Sequence, residues 1–175
     1  MTRARVVGLG QSVAGDDGFG AAVVRALRER VLPSGVEVEH LGDPSALAAL
    51  LETNVPVILV DAVLGAAPGD LLLLTPDELA VRAPSRVSSH GLGVTEALEL
   101  ARVVDAGAGL PTVHIVAVTI TRPVRYRDGL SAEVAAAVPR AADRVLQLLG
   151  AACDARGPGS PCGSVPPCVP LARAP

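Results

Sequence analysis

The run "VPVILVDAV", Val55–Val63, constrains the fold more than any other stretch of the chain. Val57 to Val60 are all large and apolar, so a strand built from them buries both of its faces. A strand of that kind belongs in the middle of a parallel sheet with helices above and below. The neighbouring segments supply such a sheet. "ARVVGLG" reads as a second buried strand, "GVEVEHLG" alternates like a strand with one exposed face, and "PTVHIVAVTI" is another apolar strand. Between them, "DGFGAAVVRALRERV", "PSALAALLET", "GLGVTEALELARVVDAG" and "SAEVAAAVPRAADRVLQLLG" carry apolar residues at helical spacing. "GDLLLLTP" follows a Pro-Gly turn rather than a helical crossover, which places it at the sheet edge. Pro139 inside the last helix predicts a kink or a division there. The expected architecture is three-layer α/β/α, with a mostly parallel, doubly wound sheet of about five strands.

Residues 1–150 form this domain in the expected layout, and 151–175 form a disordered tail rich in Pro, Gly and Ser. The three cysteines, Cys153, Cys162 and Cys168, all fall in that last stretch. Their odd number and spacing suit neither a disulfide framework nor a closed zinc site. The 15 basic residues are all arginine, and the net charge is −3, which argues against a nucleic-acid or anionic-membrane surface. Aromatic residues make up 1% of the chain, too few for a base-stacking platform. No apolar run is long enough to span a membrane, and "MTRARVVGLG" passes straight into a strand pattern without a signal peptide. These features predict a cytoplasmic protein with no nucleic-acid and no membrane partner.

The loop after the first strand, "GLGQSVAGDDGFG", begins like a dinucleotide fingerprint at Gly8 and Gly10 but has Val13 where the third glycine belongs. Asp16 and Asp17 stand where a pyrophosphate would need positive potential, so no nucleotide is expected. One aspartate is explained as a helix cap; a second beside it is not. In a sheet of this type the loops after parallel strands lie along one edge, where ligands bind. That edge receives Asp61 from the end of the central strand and His90 from the loop "SRVSSHGLG". Asp17, Asp61 and His90 then offer oxygen and nitrogen donors suited to zinc, nickel or manganese with open coordination positions. The alternative is structural, with Asp61 capping a turn and His90 satisfied by backbone. His114 reads as a core histidine, and His40, at the end of the second strand, is the other histidine with a claim on the edge.

"VVGLGQSVAGDDGFG", "VILVDAV" followed by "APGDLLLL", "SSHGLGVTEALELAR", "TVHIVAVTI" and "GLSAEVAAAVPRAADRVLQLL" together resemble the hydrogenase maturation endopeptidases, in order and in spacing. The resemblance extends to about Gly150. It implies removal of a C-terminal extension from the large-subunit precursor of a nickel-iron hydrogenase once nickel is in place. It also implies that nickel presented by the substrate is contacted by Asp17, Asp61 and His90. Gln11 stands where the family usually has Asn, and the loop "TRPVRYRDG" lacks the family's common acidic or Gly-Pro forms; its Arg122, Arg125 and Arg127 either hold a carboxylate or are ordinary solvated charges. No GxSxG elbow or HExxH motif is present, which leaves metal-assisted hydrolysis with Asp16 or Asp17 as the general base. Two other readings use the same residues: a metal-gated maturation chaperone that grips without cutting, and a small-molecule hydrolase on the same fold.

Overall fold

The computed structural model describes residues 2–51, 54–82, 94–104, 111–121 and 128–154. Strand β1 (Ala4–Leu9) leads through the first loop and a 3-10 turn (Gly15–Gly18) into helix α1 (Phe19–Arg28). Strand β2 (Val36–Leu41) and a short turn (Pro44–Ala46) precede helix α2 (Leu47–Leu51). The central strand β3 (Val57–Leu64) is followed by β4 (Leu71–Leu74) and helices α3 (Pro76–Arg82) and α4 (Val94–Val104). Strand β5 (Val113–Ile120) and the long helix α5 (Ala132–Asp154) complete the described chain.

The five strands lie in the order β2-β1-β3-β5-β4. All neighbours pair in parallel except β4, which runs antiparallel to β5 at the sheet edge, as its Pro-Gly entry predicts. The chain winds from β1 outward to β2, then returns to the other side of β1 to form β3. The winding direction therefore reverses between β1 and β3, and their carboxyl ends border a crevice of the kind that holds ligands in open α/β sheets.

Strand alternation sorts the core into two layers. Ala4, Val6, Ile58, Val60, Val116 and Val118 pack with Phe19, Val23 and Leu27 of α1 and with the buried face of α5. Val7, Leu9, Val57, Leu59, Ile115 and Ala117 pack on the opposite face with Leu47, Leu51, Leu79, Ala97 and Leu98. Phe19, the only phenylalanine, is fully buried at the start of α1.

Three local features depart from the sequence reading. Pro139 does not divide the last helix, which is continuous from Ala132 to Asp154. Val134 and Ala137 before the proline, and Ala141, Ala142, Val145 and Leu149 after it, are all buried in the same layer, and this packing favours the continuous helix. The helix also runs past Gly150 to Asp154, so Cys153 lies within its last turn, while Cys162 and Cys168 lie outside the described residues. Finally, α3 is a helix that apolar spacing did not announce. Its signal is a capping box: the Glu78 carboxylate accepts from the Thr75 N–H at 2.7 Å, and the Thr75 hydroxyl accepts from the Glu78 N–H at 3.3 Å, with Pro76 at the first helical position. No described helix is long and apolar enough to cross a membrane.

Candidate active site

The glycines of the first loop are required by close packing rather than by a phosphate. A Cβ on Gly20 would lie 2.3 Å from the Leu9 carbonyl oxygen and 2.7 Å from that of Val60, so α1 begins with its backbone pressed against the ends of both β1 and β3. Gly10 has φ +102°, and a Cβ there would fall 2.1 Å from the Asp17 carbonyl oxygen. The loop is thus folded tightly back on itself, and Asp16 and Asp17 are carried to the crevice on the 3-10 turn.

Neither aspartate caps its own helix. The residues preceding the 3-10 turn and α1 are Ala14 and Gly18, and neither cap receives a side-chain hydrogen bond. The two carboxylates instead diverge. Asp16 Oδ1 accepts from the Ser131 backbone N–H at 2.6 Å, immediately before α5. Asp17 Oδ2 accepts from the Gln11 backbone N–H at 2.7 Å, across the loop that carries it. Asp16 therefore ties the first loop to a segment 115 residues away, while Asp17 stays with the crevice.

Asp61 ends the apolar half of β3 and is only partly exposed. Burial pushes its carboxyl up to about 7 from the ordinary 3.8; the negative charge of Asp17 adds to the rise, and a hydrogen bond from the Ala62 N–H opposes it. That bond is 2.8 Å, made to Oδ1. The 3-10 turn that carries Asp17 packs against β3, the strand that carries Asp61, so the loop after β1 brings its acid to the same sheet edge as Asp61. Neither takes part in the ion pairs Arg5–Glu37 and Arg30–Asp143. Two carboxylates on one sheet edge, one of them raised in pKa by burial, form an acidic patch that suits a cation.

His90, the third residue of the expected metal set, lies outside the described residues, as do Arg122, Arg125 and Arg127. Among the described residues no three His, Cys, Asp or Glu side chains gather as a metal-binding group. His40 does reach the edge: its Nε2 lies 2.8 Å from the Gly10 carbonyl oxygen. His114 is a half-buried strand residue whose pKa is lowered by burial and by the nearby Arg144 charge, in keeping with a packed position away from the crevice.

The fold and this edge define an α/β protein whose switch-point crevice is lined by carboxylates in place of a phosphate cradle. The family model described as hydrogenase maturation protease matches residues 21–148, so the chain belongs to the hydrogenase maturation protease family and is a peptidase of hydrogenase maturation. It is 34% identical over 137 residues to protein FrxA of Pyrococcus furiosus, covering 77% of this chain and 96% of that one. It is 26% identical over 151 residues to the hydrogenase 2 maturation protease of Escherichia coli, covering 84% of this chain and 90% of the relative. The solved structure of the Escherichia coli hydrogenase maturating endopeptidase HybD superposes with a TM-score of 0.71 at 26% identity, over 86% of this chain and 93% of that one.

Proposed function

We propose that this peptidase removes the C-terminal extension of a nickel-iron hydrogenase large-subunit precursor after nickel insertion, and that it contacts the substrate's nickel through Asp17, Asp61 and His90. The observation that carries the reading is the placement of Asp17, on the turn packed against β3, and of Asp61, on β3 itself, at the β1/β3 switch point of a chain in this family. Each of these carboxylates gives one oxygen to a backbone N–H, which fixes its orientation. Asp61 must lose its proton to touch the metal, and an arriving cation makes that loss favourable.

Peptide hydrolysis needs a water molecule to give up a proton as it adds to the scissile carbonyl, and the amine to gain one as it leaves. Asp17 is the base in this reading. Asp16, whose Oδ1 is engaged by the Ser131 N–H, holds the start of α5 against the first loop. Nickel anchored in the precursor and gripped by the peptidase places the nearby peptide bond beside Asp17, so that a bimolecular reaction becomes effectively intramolecular. Nickel is then substrate and signal of completed assembly, not a resident cofactor.

The test is incubation of the pure protein with nickel-loaded and nickel-free precursor, followed by mass measurement of the products. The loaded precursor is shortened and the nickel-free one is not. Tight binding of the loaded precursor without a change in mass assigns the chain a chaperone role instead. Cleavage of both forms removes nickel from recognition.

A further inference from the structure

The bond between Gly10 and Gln11 is held at both ends. Its carbonyl oxygen, on Gly10, accepts from His40 Nε2 at 2.8 Å. Its N–H, on Gln11, donates to Asp17 Oδ2 at 2.7 Å. The described backbone has no cis peptide, so these two groups point in opposite directions from one trans peptide plane. A carbonyl can only accept, so Nε2 carries the hydrogen and the imidazole tautomer is set.

We propose that His40 is a positioning residue for Asp17, acting through the Gly10–Gln11 peptide; the part of this that concerns processing rests on the function proposed above. Four features converge on it. Register pairs His40 with Gly8, the strand position two residues before Gly10, so the imidazole stands beside the loop as β1 leaves the sheet. Gly10 has the positive φ that turns its carbonyl toward β2, and a Cβ there would strike Asp17. The peptide is a rigid plane, so fixing its carbonyl fixes the direction of its N–H. A hydrogen bond to the carbonyl also polarises the peptide and strengthens the N–H as a donor, by about 10–30% for linked bonds. His40 thereby selects which Asp17 oxygen is engaged and which is presented to the crevice shared with Asp61. It does so without touching substrate.

The test compares His40→Gln with His40→Asn. The Gln amide nitrogen reaches as far as Nε2 and can donate to the Gly10 carbonyl, whereas the Asn amide is too short. Both are polar and avoid an apolar surface at a half-buried position, and circular dichroism melts check that both fold. In 15N–1H spectra the Gln11 amide proton, shifted downfield by the Asp17 carboxylate, stays in place in His40→Gln and moves upfield in His40→Asn. Cleavage of nickel-loaded precursor is retained in His40→Gln and falls by about 10- to 100-fold in His40→Asn, the range expected when a supporting hydrogen bond behind a metal-contacting group is removed. An unmoved Gln11 resonance in His40→Asn overturns the proposal whatever the protein cleaves, because that measurement needs no substrate. A moved resonance with unchanged cleavage overturns the link to the reaction. Equal loss in the Gln and Asn variants overturns the indirect role, since it requires the imidazole itself.

Discussion

Replacing Asp61 by Asn should make the protein more stable at neutral and alkaline pH while destroying its activity. Asn keeps an oxygen for the Ala62 N–H and carries no charge to bury beside Asp17. The Asp61 carboxyl holds its proton up to about pH 7 in the folded protein, against an ordinary 3.8 in the unfolded chain. At about 1.36 kcal/mol per pH decade, that gap amounts to about 4 kcal/mol between the fully protonated and fully ionised limits. Solvent at the partly exposed strand end reduces the effect to about 2–3 kcal/mol. Because the folded pKa is the higher one, the favourable linkage is fully present below the unfolded value and is lost as pH rises through the folded value. The wild-type protein therefore weakens across the window from 3.8 to about 7, and the Asn variant does not share that loss.

With no tryptophan and a single tyrosine, unfolding is best followed by far-UV circular dichroism in urea. The stability difference between Asp61→Asn and wild type should grow by about 2–3 kcal/mol from about pH 4.5 to about pH 8, and the variant's melting point at the upper pH should stand about 5–10 °C higher. Taking the difference between variant and wild type cancels titrations common to both. A difference that does not change with pH would refute the reasoning, because it would mean that Asp61 is already ionised and paired in the free protein.

Asp16→Ala should lower stability by about 1.5–3 kcal/mol through loss of the charge-assisted bond to Ser131, with Asp16→Asn recovering part of it in urea titrations. Cleavage should survive Asp16→Asn and be abolished by Asp17→Asn, as read by precursor mass. Gly20→Ala should destabilise by about 1–3 kcal/mol or more, since its new methyl meets two backbone carbonyls rather than a movable side chain. A chain ended after Asp154 should keep its unfolding midpoint and its cleavage rate, because the buried Leu148 and Leu149 are retained.

Much of this fold is legible because its signals are local. Four consecutive apolar residues in β3 require cover on both faces, and the Pro-Gly turn before β4 marks an edge strand. Asp61 stands out as an acid at the end of an apolar run. The capping box of α3 was equally local, in "TPDE", but apolar spacing alone passes over a helix this short. The partners of Asp16 and Asp17 were not legible. Two adjacent acids look equivalent in sequence, and what separates them is a backbone N–H at Ser131, brought near only when α5 docks beside α1. His40 depends on strand register in the same way: its claim to the edge becomes a role once β2 pairs with β1 residue by residue. Pro139 failed as a breaker because its cost of about 3 kcal/mol is outweighed by apolar burial on both sides of it.

The hydrogen bonds of the first loop bear on what the crevice binds. A phosphate site leaves loop and helix N–H groups pointing at an empty space. Here the Gln11 and Ser131 N–H groups are already taken by Asp17 and Asp16, so the loop keeps a cradle's shape while its donors are satisfied from within. Asp17 and Asp61 each retain one oxygen that takes no hydrogen bond from a described residue. Two such oxygens, with His90 in the proposed set, are hard or borderline donors, and Asp61 must lose a proton before it can coordinate. Nickel added to the free protein should therefore bind weakly, and more weakly as pH falls below about 7. If, as proposed, nickel arrives on the precursor, and if thiolates of the precursor hold it, those soft ligands should supply most of its affinity, since they favour it over harder ions. Calorimetric titration of the free protein with nickel should give a shallow curve, while loaded precursor binds tightly and releases a proton on binding above neutral pH less than at pH 6 to 7. Tight, stoichiometric nickel binding by the free protein would refute the substrate-borne metal and make nickel a resident cofactor.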